Sequence, residues 1–252
     1  MYDQPLAYDI VFDLDTEREC DFLETMHDRH ARTVGRRLLE PGCGSGRLLR
    51  GMQRRGWTTD GFDASRPMLE FARAARENLD GTIIEARFDE FALDHRGAYA
   101  LAHCLISSLQ HVRSDDEALR HLRLVADHLA PGGLYVLGMH LADRPELLTA
   151  PETHHAERDG TAVTCVVEAS MPELENRRQR ISAKLHVMED GRLESHRSSW
   201  WFRTWTLAQF RELLEAEPRL ELAAIHDFGM DPGITYRLED DLVDVIWILR
   251  RV

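Results

Sequence analysis

The sequence has no stretch approaching 18 uninterrupted apolar residues, which removes a membrane-spanning helix from consideration. Its first residues, Met1-Tyr2-Asp3-Gln4-Pro5, carry no basic segment leading into an apolar one, so no secretory leader is expected there. The four cysteines, Cys20, Cys43, Cys104 and Cys165, form no CxxC pair and no other metal-ligand spacing, which argues against a disulfide framework and a zinc site. Basic residues are outnumbered, 31 Lys and Arg against 44 Asp and Glu, and a net charge of −13 repels a phosphate backbone. Neither nucleic acid nor membrane is an expected partner, no metal is expected, and the chain reads as a cytoplasmic protein. Internal repeats and low-complexity segments are also missing.

What 252 residues do allow is one substantial α/β core with an added subdomain. Up to about Leu141 short apolar runs alternate with longer amphipathic ones, the pattern of βα repeats around a mostly parallel sheet. Strands are predicted at Arg37 to Glu40, Thr58 to Phe62, Thr82 to Ala86, Ala98 to Cys104 and Leu134 to Met139, with helices filling the gaps. Thr16-Glu17-Arg18-Glu19 and Ser114-Asp115-Asp116-Glu117 read as capping boxes, and Ser65 reads as an N-cap ahead of Pro67. Pro131-Gly132-Gly133 reads as a helix stop.

From about Thr161 to Arg203 the period changes to two, with Ile181, Ala183, Leu185 and Val187 alternating with polar neighbours and Asp190-Gly191 suited to a tight hairpin. A third capping box, Thr206-Leu207-Ala208-Gln209, opens a helix that runs to about Glu217, before Pro218. Two strands follow, near Leu220 to Ile225 and Leu242 to Leu249. The expected division is a cofactor-binding core with an N-terminal helix over 1–141, an antiparallel β insertion over 142–203 on the acceptor side or at a dimer contact, and a return to the core sheet over 204–252.

A strand ending in Glu40 that feeds Gly42-x-Gly44-x-Gly46 at the start of a helix lets a ligand approach the backbone without meeting Cβ atoms. A nicotinamide dinucleotide asks for GxGxxG, but here the third glycine comes one residue early and Arg47 stands where a small residue is wanted. The run Glu40-Pro41-Gly42-Cys43-Gly44-Ser45-Gly46 resembles the first motif of class I S-adenosylmethionine-dependent methyltransferases. Gly61-Phe62-Asp63-Ala64-Ser65, with Met68-Leu69 beyond it, resembles the segment that follows one βα unit later in that family, and Leu129 to Val136 resembles the turn into its fifth strand.

The resemblance implies a doubly wound, seven-stranded, mostly parallel sheet with S-adenosyl-L-methionine as cofactor. It implies that Asp63 accepts hydrogen bonds from the ribose hydroxyls, that Glu40 faces the charged methionine end, and that Met68 and the backbone at Ala64 border the adenine. Gly42, Gly44 and Gly46, with Tyr8, Phe88, Cys104 and Leu105, complete the implied cofactor set. Arg87 stands where many relatives place an acid for the adenine amino group; Asp89, Glu90 or the backbone at Phe88 are the substitutes. Tyr2-Asp3, Tyr8-Asp9, the insertion and Arg203-Thr204-Trp205-Thr206 are similar to small-molecule N-methyltransferases, among them sugar and glycine N-methyltransferases.

Strand ends four and five face the same crevice, so His111 and His140 are the candidate general bases, imidazole being able to hold a proton near neutral pH. Tyr2 and Tyr8 are read either as a lid or as packing for the first helix. The cluster Trp200-Trp201-Phe202 with Trp205 is read as core in preference to an acceptor wall, and Cys43 as a small filler in the turn. The expected activity is methyl transfer to an N or O atom of a small-molecule acceptor. A non-catalytic cofactor-binding scaffold, a homodimer through the insertion, and a nicotinamide-dependent oxidoreductase stay open as alternatives.

Overall fold

The computed structural model describes residues 1–75 and 80–252. The helices are α1 (Pro5–Phe12), α2 (Thr16–His30), α3 (Arg47–Arg54), α4 (Arg66–Ala74), α5 (Asp115–His128) and α6 (Leu207–Glu215). The strands are β1 (Arg37–Pro41), β2 (Thr58–Asp63), β3 (Ile83–Glu85), β4 (Tyr99–Cys104), β5 (Leu129–His140), β6 (Glu152–Arg158), β7 (Thr161–Ala169), β8 (Arg178–Glu189), β9 (Arg192–Arg203), β10 (Leu220–His226) and β11 (Asp244–Arg251). Seven of them form one sheet in the order β10-β11-β5-β4-β1-β2-β3, and β6 to β9 form a second, four-stranded sheet in sequence order.

In the large sheet only β11 runs antiparallel to its neighbours β5 and β10. Helices cover both faces, so the central strands are apolar along their whole length; every residue of β4 is buried. The strand order reverses between β1 and β4, and a crevice opens there at the strands' C-terminal ends. The small sheet is amphipathic. Val163, Cys165, Ala183 and Leu185 pack against Ala7, Ile10 and Val11 of α1, while alternate residues face outward. Among the described residues no helix is long and apolar enough to cross a membrane, and no group of three His, Cys, Asp or Glu is placed to hold a metal.

Local expectations were met unevenly. Thr206 and Gln209 form a reciprocal capping box, and Asp190-Gly191 turns a two-residue hairpin with both residues at positive φ. Asp159-Gly160 turns another between β6 and β7, so the small sheet begins before Thr161. Thr16 does not cap α2; its hydroxyl donates to Asp13, because a short 3-10 turn already leads the chain into the helix. Ser114 caps α5, but Glu117 accepts from Arg113 instead of Ser114. Ser65 stands at the N-cap of α4 without a side-chain bond to the helix, since its hydroxyl donates to the carbonyl of Tyr2. Pro131-Gly132-Gly133 falls inside β5, the helix having ended at His128. No helix joins β3 to β4. There Phe91 and Leu93 turn into the core from an irregular segment, and Gly97 sits at positive φ.

Candidate active site

The crevice is a cavity of about 760 Å3, at the upper end of the range for small-molecule sites, roughly 300–1,000 Å3. One side is the glycine loop and the end of β2: Gly42, Gly44, Asp63 and Ala64, with Phe88 and Asp89 beyond β3. The other is built by the second sheet, including Ile181, Trp200 and Phe202, and by His140 at the end of β5. Tyr2, Tyr8 and His111 lie between them.

The loop's conformation explains its composition. Gly42, Gly44 and Gly46 all have positive φ, and a Cβ on Gly42 would stand 2.9 Å from the Phe88 ring. Gly46 does a different job: its place at the N-cap of α3 puts it against Ala72 of α4, away from the cavity, so it closes helix packing. Arg47, next in the chain, is buried and paired with Glu19, with a further bond of 3.1 Å to Thr16, which locks α2 onto α3.

Asp63 accepts from the Gly44 amide at 2.9 Å and from the Ser65 amide at 2.7 Å. Burial raises its pKa and these amides oppose the rise, so a preoriented carboxyl faces the cavity with lone pairs to spare. Glu40 lies deeper. It lines a small space of about 30 Å3 that shares Tyr8, Gly42, Ile106 and Ser108 with the large cavity and also touches Cys104 and Leu105. Its Oε2 is buried with no hydrogen-bond partner, and burial holds its pKa well above the usual carboxylate range. His103 Nε2 is 4.0 Å away, but burial pushes that imidazole down to about 3, so the two do not form an ion pair.

At the far side His140 Nδ1 lies 2.6 Å from Asp244, its antiparallel neighbour across β5 and β11. His111 Nε2 lies 2.9 Å from the Tyr2 hydroxyl, and burial lowers its pKa to about 4. Before it, Ile106 and Ser107 both sit at positive φ, costly for a β-branched residue and a form of strain that collects at functional sites. Ser107 Oγ is buried without a partner on the cavity wall.

Of the residues singled out from sequence, Tyr8, Gly42, Gly44, Asp63, Ala64, Phe88, His111 and His140 line the large cavity. Glu40, Cys104 and Leu105 line the small one. Gly46 and Met68 line neither, and Met68 is wholly buried. Arg87 reaches the cavity wall but is engaged by Asp89 at 3.3 Å and by Glu90 and Glu117 at 3.7 Å each. The Phe88 carbonyl is taken by His121 Nδ1 at 3.1 Å, whereas Asp89 is on the wall.

The aromatic cluster divides. Trp205 is core as expected, but Trp200 and Phe202 wall the cavity, and Trp201 is outward with the Arg178 guanidinium 4.2 Å above its ring. Strand alternation was the available signal, since 200 and 202 share one face and 201 takes the other. Asp244 and Glu152 were not foreseen. Asp244 begins β11 and meets His140 only through long-range strand pairing, for which local sequence carries no signal.

A family model described as a methyltransferase domain matches residues 15–216. The chain belongs to that family. Among curated relatives it is 30% identical over 123 residues to a dTDP-3-amino-3,6-dideoxy-α-D-glucopyranose N,N-dimethyltransferase of Streptomyces fradiae, an alignment covering 49% of this chain and 46% of that protein. It is 32% identical over 101 residues to a ubiquinone biosynthesis O-methyltransferase of Vibrio parahaemolyticus, covering 39% and 41%. The matched region thus spans less than half the length of either relative. In fold the chain is similar to an S-adenosylmethionine-dependent methyltransferase from Clostridium acetobutylicum, with TM-score 0.75, 15% identity and coverage of 99% and 96%. It is also similar to an amino pentose methyltransferase from Micromonospora echinaspora solved with S-adenosylmethionine bound, with TM-score 0.70, 18% identity and coverage of 94% and 92%. The methyltransferase fold expected from the glycine loop is therefore the fold of this chain, down to its seven-stranded sheet.

Proposed function

We propose that this methyltransferase moves a methyl group from S-adenosyl-L-methionine, its cofactor, to an N or O atom of a small molecule. The observation that carries this reading is the single cavity that joins the glycine loop and Asp63 to the second sheet and His140. The residues present fit the cofactor. Asp63 has free lone pairs for two vicinal hydroxyls, and the partnerless Glu40 Oε2 suits a cationic amino group in the small space beside the loop. When bound, S-adenosylmethionine supplies an electrophilic methyl group on a sulfonium.

The protein's tasks are then alignment and exclusion of water. Tyr2 and Tyr8 close one side, their rings 6.2 Å apart. His140 supplies the base. Asp244 accepting from Nδ1 fixes the tautomer so that Nε2 is the basic nitrogen, able to take a proton from an acceptor held on the cavity wall. His111 is less suited, since its Nε2 is engaged by Tyr2 and its basicity is low. Membership of a methyltransferase family removes the nicotinamide reading. The scaffold reading is tested by turnover with an amine, sugar and phenol panel. Release of S-adenosylhomocysteine with any acceptor supports the enzyme; calorimetric binding of S-adenosylmethionine with no turnover of any acceptor supports the scaffold.

A further inference from the structure

The acceptor half of the cavity has a definite chemical character. Its walls are apolar and ring-bearing, from Leu147, Leu148, Ile181, Trp200 and Phe202. Its fixed charges are carboxylates, Glu152 and Asp244. Each has an imidazole neighbour, His140 at 2.6 Å from Asp244 and His154 at 3.3 Å from Glu152, where the hydrogen bond raises the pKa of the ring and lowers that of the carboxyl. Among the described residues the one Arg or Lys side chain on the whole wall is Arg87, at the opposite end and already held by Asp89, Glu90 and Glu117.

The α-amino group of Met1, also at the wall, donates to Ser198 at 2.7 Å. Three guanidinium groups near the second sheet are paired with acids, Arg177 and Arg203 with Asp115 and Arg158 with Asp9. A diphosphate entering beside Glu152 and Asp244 would meet like charge, a juxtaposition that specific sites use to reject wrong partners. An ammonium would meet the opposite. Ser107 Oγ, buried and partnerless on a residue that also lines the cavity, offers one further hydrogen bond.

We infer that the acceptor is a phosphate-free amine with an apolar, ring-bearing body, an inference that rests on the methyl-transfer reading and narrows it. The amine arrives protonated, is held by Glu152 and Asp244, and gives one proton to His140 Nε2. Its nitrogen lone pair then forms the N–C bond as the C–S bond breaks, with the electron pair of that bond left on sulfur. The methylated product leaves as an ammonium, and His140 returns its proton to solvent.

Calorimetry on protein loaded with S-adenosylhomocysteine tests this with tyramine, tyramine O-phosphate and 4-ethylphenol, which share one ring and differ in phosphate and amine. Tyramine is expected to bind up to about fivefold more tightly than either analogue, the effect of one charge contact with partly exposed carboxylates. Glu152→Lys is expected to reverse the preference between tyramine and its phosphate, and Glu152→Gln to narrow it. Equal or tighter binding of the phosphate or the phenol overturns the inference. So does the absence of any tyramine binding while S-adenosylhomocysteine still binds, and that outcome leaves the methyl-transfer reading standing. Failure of S-adenosylhomocysteine itself to bind overturns both.

Discussion

His103 sits on β4 with both ring nitrogens buried and unbonded. Burial brings its pKa down to about 3, so the folded protein keeps this ring neutral while the unfolded chain protonates it below about 6.5. The unfolded state thus binds more protons between those values, and stability falls as pH drops from 6.5 towards 4. His111 and His121, each brought down to about 4, pull the same way. Glu19, Glu40 and Asp63, raised by burial, pull the opposite way. A difference measurement isolates one ring: His103→Leu is expected to lose about 3 kcal/mol less than the parent between pH 6.5 and 4. Urea midpoints across that range would show it, and parallel curves for the two proteins would contradict it.

The same scale holds the catalytic proposal. Asp244→Asn leaves a neutral amide beside His140 and removes the charge that stabilises the protonated ring. The expected result is a kcat lowered about 10- to 100-fold, less than the roughly 10²- to 10⁴-fold of a whole general base because the imidazole itself stays in place, with an unchanged Kd for S-adenosylmethionine. For Asp63→Asn the pattern inverts: cofactor affinity falls about tenfold or more because one lost charged hydrogen bond costs roughly 1.5–3 kcal/mol. Calorimetry and steady-state kinetics separate the two patterns.

At the scale of elements, the glycine loop shows what the sequence could and could not announce. Gly42-x-Gly44-x-Gly46 between an apolar strand and an amphipathic run marked a strand, a turn needing positive φ, and a helix, and all three are there. The sequence did not announce that Gly46 serves helix packing, because Ala72 reaches it from another βα unit. Hairpins were readable for the same local reason, since Asp-Gly meets the φ demands of a two-residue turn whatever lies around it. Caps were less so, as the choice of Thr16 and Ser65 for other partners depends on where α1 and the Tyr2 carbonyl come to rest. Gly42→Ala follows from the loop geometry. A Cβ 2.9 Å from Phe88, on a residue at φ +69, is expected to displace the ring and abolish cofactor binding. The thermal shift that excess S-adenosylmethionine gives the parent should then vanish.

At the scale of the molecule, the two sheets share the cavity, and one seam between them is dense in polar ties. Asp115, the first residue of α5, accepts from Arg177 at 2.6 and 3.0 Å, from Arg203 at 3.2 Å and from Trp205 at 2.9 Å. Gln110 adds a second tie, donating to the Arg203 carbonyl at 3.0 Å and accepting from the His140 amide at 3.2 Å. These ties set the distance between His140 and the walls of the second sheet. Asp115→Ala would leave two guanidiniums and an indole without their acceptor, at a cost of about 2 kcal/mol once the partial exposure of the cluster is allowed for. Asp63 and the glycine loop lie on the large sheet alone and should keep their geometry. Cofactor Kd should therefore stay near the parent's while acceptor KM rises, and a variant that lost both affinities equally would mean that the seam supports the whole fold and not the acceptor half.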